Sequence, residues 1–410
     1  MRWVISILFI IAFQWYAFQS IKTITNERSV IAAYWFIVIA ILGNLLWHTL
    51  FFDRSGGFTH SLSYSIGFLL SLLLFQGTII SILFFEDIMR LVKSLYNMLF
   101  GENFSKSNIF PGRRKFISQL AIIIASIPTV AMLYGIYKGR YNYKVLKYTL
   151  EFDDLPKNFD GFTITQISDI HSGSLDNFEK VSYGIDLINK QNSDLLLFTG
   201  DIVNNRASEL KPWISLFSKL KAPYGKYSVL GNHDYGDYVQ WKNKGEKEKN
   251  MKDMKTFQKE IGFELLLNEN RLIKKDGEHI SLIGVENWGK GGFKKVGDLK
   301  KASENLKKDD FKIVMTHDPS HWEAEILPHP FPYQLTLSGH THGFQFGIEI
   351  PGWIKWSPSS WRYKQWAGIY EEKKQVINVN RGFGFLAYPG RVGIWPEITV
   401  IELKQKKLLV

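Results

Sequence analysis

Five short polar clusters hold most of the side chains in this sequence that are equipped for chemistry, and each follows an apolar run. They are Asp169-Ile170-His171, Gly200-Asp201, Gly231-Asn232-His233-Asp234, Thr316-His317-Asp318 and Gly339-His340-Thr341-His342-Gly343. Five of the ten histidines share this one context. A single histidine or aspartate at a strand end is more often a satisfied structural group than a ligand, but five such clusters in series are not explained that way. In α/β sheets the loops at the carboxyl ends of strands gather on one edge, so the clusters are expected to converge. Carboxylate, imidazole and amide oxygen suit manganese, iron or zinc. The chain has no cysteine, which removes disulfides, thiolate zinc sites and thiol nucleophiles. Two such ions about 3.5–4 Å apart share a bridging carboxylate and a water that becomes hydroxide near neutral pH, the nucleophile that in-line attack on phosphorus requires.

The elements that must position these clusters begin near Asn142. Apolar runs at Phe162–Ile167, Leu195–Phe198, Tyr227–Leu230, Ile280–Ile283, Phe311–Met315, Tyr333–Leu337, Val376–Val379 and Ile398–Leu403 are strand candidates. Helical patterns at Asn177–Lys190, Ser208–Leu220 and Val239–Glu260 lie between them, which predicts an α/β sandwich. The Lys/Glu-rich stretch Lys242–Lys259 reads as a solvated helix face. No internal repeat is visible.

Before Asn142 the composition is different. Residues 3–21, 30–52, 62–85 and 116–137 carry no charged side chain and are long enough to cross a bilayer, so four transmembrane helices are expected. A cleaved signal peptide is the alternative for the first, disfavoured by its length, by Trp15 and Tyr16 and by the lack of a clear small-residue cleavage site. Ile88, Leu91, Val92, Leu95, Tyr96 and Leu99 recur at helical spacing, which fits either a surface-lying amphipathic helix or a continuation of the third span into water. The first 141 residues carry 12 Lys and Arg against 5 Asp and Glu, within a net charge of +11 for the whole chain. The excess basicity therefore sits around apolar segments, a pattern of membrane topology more than of a nucleic-acid groove. Arg90, Lys93, Lys106 and Arg113-Arg114-Lys115 precede the fourth span, whereas Lys138, Arg140, Lys144 and Lys147 follow it. The loop charges lean toward a cytoplasmic start for that span and an extracytoplasmic C-terminal domain.

The motifs D-x-H, G-D, G-N-H-D, T-H-D and G-H-T-H in this order resemble the calcineurin-like metallophosphoesterase superfamily, over roughly Tyr143 to Leu403. Gln166-Ile167-Ser168-Asp169, Leu337-Ser338 ahead of the G-H-T-H turn and Pro396-Glu397-Ile398 resemble more narrowly a membrane-associated bacterial branch with twin-arginine-exported members, and the internal Arg113-Arg114 agrees with it. The resemblance implies a two-sheet α/β sandwich flanked by helices (142–410), preceded by an all-α transmembrane region (1–141), and a cofactor of two divalent metal ions. It makes Asp169, His171 and His342 ligands of one ion, Asn232, His317 and His340 ligands of the other, and Asp201 the bridge. His233 is then left for catalysis, protonating the leaving oxygen or stabilising charge on the phosphoryl group. Many relatives carry an aspartate three residues after the bridge to orient this histidine; here Asn204 stands there, so an amide is expected to accept its hydrogen bond without supplying charge. Arg206 is one residue away from where some phosphatases place a phosphate-binding arginine, and reads as a surface residue.

The expected function is a membrane-anchored, multi-pass phosphoesterase of the inner membrane, cleaving a phosphomonoester, phosphodiester or pyrophosphate by attack of a metal-bridging hydroxide. Its expected partners are the lipid bilayer and a phosphorylated, amphiphilic substrate. A lipid pyrophosphatase acting on nucleotide-linked diacylglucosamine is an alternative that favours a cytoplasmic catalytic domain. A non-catalytic membrane module is opposed by the complete ligand set, and nucleic-acid cleavage by the near-neutral catalytic region. One segment falls outside these assignments: Pro351–Tyr370 crowds Trp353, Trp356, Trp361, Tyr363, Trp366 and Tyr370 just after the His340/His342 turn. It reads as an irregular loop whose rings either close the core of the second sheet or meet the bilayer interface.

Overall fold

The structure, a computed structural model, describes residues 2–51, 53, 57, 59–100, 112–350 and 352–406. Phe52, Lys106 and Pro351 lie outside the described residues. The chain divides into two compact units, Met1–Phe52 with Ser61–Gly135, and Asp53–His60 with Ile136–Val410.

The first unit is helical: α1 (Arg2–Ile24), α2 (Arg28–Leu50), α3 (His60–Phe100) and α4 (Arg113–Tyr137). Among the described residues, α2, α3 and α4 are long and apolar enough to cross a membrane. The first expected span falls within α1, 23 residues long. The stretch from Ile88 to Leu99 is not a separate helix but the continuous end of the 41-residue α3, where no Gly or Pro interrupts the ladder after Gly77. Polar contacts join the helices. Gln14 and Gln76 exchange side-chain hydrogen bonds of 3.0 and 2.6 Å, and Gln76 also donates to the Tyr34 hydroxyl at 3.0 Å. Buried amides in an apolar bundle need such mutual partners. Arg114 pairs with Glu86 (3.1 Å) and Asp87 (2.5 Å), and Arg113 lies 3.6 Å from Glu86. The paired arginines thus fasten the start of α4 to α3.

The second unit is built on two six-stranded sheets. The first has the order β1 (Lys144–Phe152), β14 (Glu397–Gln405), β2 (Thr163–Ile167), β3 (Leu195–Phe198), β4 (Lys226–Ser228) and β5 (Glu264–Leu265). The second has the order β12 (Gly368–Glu372), β13 (Gln375–Val379), β9 (Leu335–Ser338), β8 (Lys312–Met315), β7 (Glu278–Gly284) and β6 (Glu269–Lys275). A hairpin of β10 (Ile348–Ile350) and β11 (Ile354–Trp356) stands apart from both. Strand alternation sorts the core into layers. Ile164, Leu195, Leu197, Leu282, Ile313, Met315, Leu335 and Leu337 fill the space between the sheets. Leu196 and Phe198 face outward instead, packing with α5 (Phe178–Asn189), α6 (Ile214–Phe217) and α7 (Lys244–Ile261). On the far side of the second sheet, Ile283, Val314, Ile377 and Val379 cluster with Trp322, Ile326 and Leu299, the last from α8 (Leu299–Ala302). Both sheets are covered on two faces, which explains why the central strands read as continuous apolar runs.

The Lys/Glu-rich segment is α7, capped by the Asn243 side chain and ended by Gly262 at φ 91°, with Asn250, Met254, Gln258 and Ile261 as its buried stripe. The helix expected over Ser208–Leu220 is instead two 3₁₀ turns, Ala207–Glu209 and Lys211–Trp213, followed by the single turn of α6. Pro212 supplies no N–H to a longer helix. Glu209 is also engaged elsewhere, accepting from the backbone N–H groups of Asn204, Asn205 and Arg206.

Strands β2, β3 and β4 run parallel, as do β7, β8 and β9, so their carboxyl ends bring the five polar clusters to one edge. The turns there are tight. Asp169, His171, Asp201, His340 and His342 all adopt positive φ, between 47° and 71°. Non-glycine residues avoid this region, and outliers of this kind cluster at functional sites. Gly200 has φ 97°, and a Cβ added there would meet the Gly231 amide nitrogen at 2.5 Å. Gly200→Ala is therefore expected to destabilise the catalytic unit by about 1–3 kcal/mol or more, from overpacking plus backbone strain. A denaturation midpoint equal to that of the parent would contradict this packing.

Candidate metal centre

The structure brings six of the seven expected ligands into two groups. The nitrogen and oxygen donors of Asp169, His171 and His342 lie within 4.8 Å of one another, and so do those of Asp201, His317 and His340. Asp201 Oδ2 lies between the two groups, 3.1 Å from His317 Nε2 and 3.6 Å from His171 Nε2. Across the first group His171 Nε2 and His342 Nε2 are 3.0 Å apart, and across the second His340 Nδ1 and His317 Nε2 are 3.2 Å apart. Nitrogens so placed cannot all carry protons, and their lone pairs point at a shared centre.

The donors fit divalent ions on three further grounds. Asn232 Nδ2 donates to the Tyr238 hydroxyl at 2.8 Å, which turns Asn232 Oδ1 the other way; that buried oxygen has no hydrogen-bond partner among the described residues. His317 Nδ1 donates to the Thr199 carbonyl at 2.8 Å, which leaves Nε2 as the donor toward a metal. Burial pushes His171 and His340 toward the neutral imidazole a metal requires, His340 to about 4. His317 is the exception: burial opposes its protonation, but the Asp201 and Asp169 carboxylates raise it to about 10. A centre that draws a proton this strongly calls for positive charge, and dications held by the same groups would supply it.

His233 stands beside the first group, its ring centroid 5.0 Å from that of His171. Its Nδ1 donates to the backbone carbonyl of Asn204 at 2.7 Å, so Nε2 is not engaged by that bond. The expected contact with the Asn204 amide is not made. That side chain turns to Ser174, exchanging hydrogen bonds of 3.0 and 3.3 Å. The group that orients His233 is therefore a backbone carbonyl, and burial lowers the pKa of His233 against the pull of Asp201. Arg206 lies over the Trp241 ring at 4.2 Å, in keeping with a surface role.

Several residues that hold the centre were not assigned roles by sequence. Asp234 accepts from the N–H groups of Gly231, Asp201 and Ile202 at 2.8–2.9 Å, locking the Asp201 loop onto the Asn232 loop. Burial and the neighbouring Asp201 raise its pKa to about 7, against N–H donors that favour the carboxylate. Gln166 donates to the Ser338 carbonyl and accepts from Asn378, riveting the two sheets beneath the ligands at 2.8 and 2.7 Å. Arg391, fully buried, donates to the carbonyls of Gly384 and Arg381 and stands 3.2 Å from His342 Nδ1. Tyr238 packs on His233 with centroids 4.5 Å apart. Tyr363 places its hydroxyl 2.8 Å from His340 Nε2, and Asp318 Oδ2 is 3.4 Å from the same nitrogen. The only sequence signal for Asp234 and Asp318 was their place beside a motif histidine.

The aromatic segment is more regular than expected, holding β11, the second strand of the β10–β11 hairpin, and a 3₁₀ turn at Pro358–Trp361. Its rings divide: Trp366 is buried with Ala367 and Ile394 beside Tyr363, whereas Trp353 and Trp361 are 76% and 79% exposed.

Comparison with known proteins agrees with this geometry. Residues 162–344 match the calcineurin-like phosphoesterase family, and residues 1–140 match a family described as a probable calcineurin-like phosphoesterase, transmembrane domain. The Bacillus subtilis (strain 168) protein described as the uncharacterized metallophosphoesterase YkuE is 31% identical over 298 residues, 71% of this chain and 97% of that protein. A Danio rerio transmembrane protein with metallophosphoesterase domain is 25% identical over 348 residues, 82% of this chain and 74% of its own length. An Aquifex aeolicus (strain VF5) metallophosphoesterase is 28% identical over 285 residues, 68% of this chain and 98% of its own. With the two-sheet fold, the Asp/His groups and the apolar helices, these matches establish that the chain belongs to the calcineurin-like metallophosphoesterases, metal-dependent phosphoric ester hydrolases, in a membrane-associated form.

Proposed function

We propose that the chain hydrolyses a phosphomonoester, phosphodiester or pyrophosphate of an amphiphilic substrate, using two divalent ions, manganese, iron or zinc. Asp169, His171 and His342 hold one ion, Asn232, His317 and His340 the other, and Asp201 both. The observation that carries this reading is the position of Asp201 Oδ2 between two histidine groups, 3.1 and 3.6 Å from their nearest Nε2 atoms. When bound, ions of this kind bring a shared water to hydroxide near neutral pH and polarise the phosphoryl oxygens.

The chain's own residues do the rest. The strand-end turns hold seven donors in place before substrate arrives, so little reorganisation is needed during the reaction. His233, oriented through Nδ1 by the Asn204 carbonyl, presents Nε2 to the leaving oxygen. A bound phosphoryl anion raises the proton affinity of this imidazole, so Nε2 carries a proton when the ester bond breaks. Charge in the loops around α4 supports a multi-pass inner-membrane protein with its catalytic unit outside the cytoplasm.

The test is chelation of the detergent-solubilised full chain. Hydrolysis of a panel of phosphomonoesters, phosphodiesters and lipid pyrophosphates is expected to stop on metal removal and return with manganese, at two metal equivalents per chain by elemental analysis. Undiminished turnover by metal-free protein, or saturation at one equivalent, would contradict the two-ion reading.

A further inference from the structure

The β10–β11 hairpin and its flanks present exposed apolar side chains that are not among the donors of the metal centre. Phe344, Ile348, Ile350, Trp353, Trp356 and Trp361 are all among the exposed large hydrophobics. Contiguous apolar patches of this kind mark interaction surfaces, whereas scattered single residues do not. Trp356 and Trp361 pack edge to face with centroids 6.1 Å apart, and the strand register sets Ile348 opposite Trp356 and Ile350 opposite Ile354. The hairpin is also firmly built. Ser357 Oγ donates to the Gly343 carbonyl at 2.6 Å and Ser359 Oγ to the Thr341 carbonyl at 3.3 Å. Thr341 Oγ1 in turn donates to the Trp366 carbonyl at 2.6 Å. The turn that carries His340 and His342 and the segment that carries the exposed rings are thus one hydrogen-bonded piece.

We propose that this surface inserts into the interfacial layer of a lipid bilayer and brings the mouth of the metal centre to phosphorylated lipid headgroups. Three observations favour lipid over a protein partner. Tryptophan at the tip with cations around it is the composition of membrane-interface anchors. Between Phe344 and Lys364 the charged residues are Lys355, Arg362, Lys364 and one carboxylate, Glu349. That carboxylate is paired with Arg381 at 2.6 Å and Lys364 with Glu323 at 3.5 Å, so Lys355 and Arg362 are the cations the patch offers to anionic headgroups. Finally, α4 ends at Tyr137 and β1 begins at Lys144. Six residues link the two, at most about 25 Å of extended chain, so encounter of the hairpin's unit with a bilayer that α4 crosses is effectively intramolecular.

The substrate part of this inference rests on the phosphoesterase reading; the insertion itself does not, and two readouts separate them. Because the chain has no cysteine, Trp353→Cys gives a single labelling site in the full chain. With an environment-sensitive fluorophore there, in nanodiscs containing anionic lipid, the emission is expected to shift to the blue and to be quenched by nitroxide-bearing lipids. The same label at Lys244→Cys, on the exposed start of α7, is expected to stay water-like. A water-like, unquenched label at 353 would overturn the proposal, including the case in which an added protein covers the hairpin instead. In the second readout, Trp353→Ser with Trp361→Ser should lower the ratio of turnover on a lipid-linked ester to turnover on a soluble aryl phosphate by about tenfold or more. An unchanged ratio with a quenched label at 353 would leave insertion standing and refute delivery of lipid headgroups to the site.

Discussion

Asp201→Asn is expected to lower turnover by more than about 10³-fold, which corresponds to about 4 kcal/mol of lost transition-state stabilisation. The side chain is almost fully buried, so the isosteric amide leaves no cavity and the fold is expected to survive. What changes is charge. Asp201 Oδ2 is the nearest anionic atom to both His317 and His171, and His317 and His233 hold its pKa well below the ordinary carboxylate range despite burial. A neutral amide in its place would leave two cations facing each other with no shared anion. Both metal content and rate should therefore fall, and together. Asp201 Oδ1 also accepts the His233 amide N–H at 2.8 Å, a bond that an asparagine oxygen can keep. The catalytic loop should then hold its shape, which isolates the loss of charge. A variant that keeps two metal equivalents and near-parental turnover would refute the bridging role.

Which parts of this molecule could be read in advance follows from how each residue is satisfied. The central strands were legible because both their faces are buried, so Leu195–Phe198 and Lys312–Met315 come from nearly unbroken apolar text. The outer strands were not: β1 reads KVLKYTLEF with a half-exposed pattern, and β12 ends in two exposed glutamates. The six residues that gather into the two donor groups were legible because histidine and aspartate at strand ends are conspicuous by type. The groups that orient them were hidden. The partner of His233 is a backbone carbonyl, which has no side-chain signature, and Tyr363 reaches His340 from 23 positions away. A similar limit applies to Arg113-Arg114. As sequence they resemble an export signal; in the structure they pair with Glu86 and Asp87, more than 25 residues upstream. The helix expected over Ser208–Leu220 failed for a local reason, since Pro212 limits the ladder and Glu209 serves the loop after Asp201 instead.

His233→Asn is expected to leave both metals bound while turnover falls by about 10²–10⁴-fold on esters with poor leaving groups. Geometry gives the reason for the first half: Nδ1 is occupied by the Asn204 carbonyl at 2.7 Å, and the ring stands beside the two donor groups without belonging to either. Removing it deletes none of the seven donors. For the second half, a leaving alkoxide is too basic to depart without a proton, and Nε2 is the position from which His233 can supply one. An aryl leaving group departs as a weakly basic phenolate, so its hydrolysis should lose much less. The comparison across leaving groups is therefore the decisive measurement, with metal content as the control. If rates on activated aryl phosphates and on alkyl esters fell by the same factor with both metals retained, His233 would be acting by electrostatic stabilisation of the phosphoryl group and not by proton donation. Loss of one metal equivalent instead would mean that His233 supports the Asn232 loop rather than the reaction. The edge-to-face contact with His171 and the stacking on Tyr238 are what such a structural role would use.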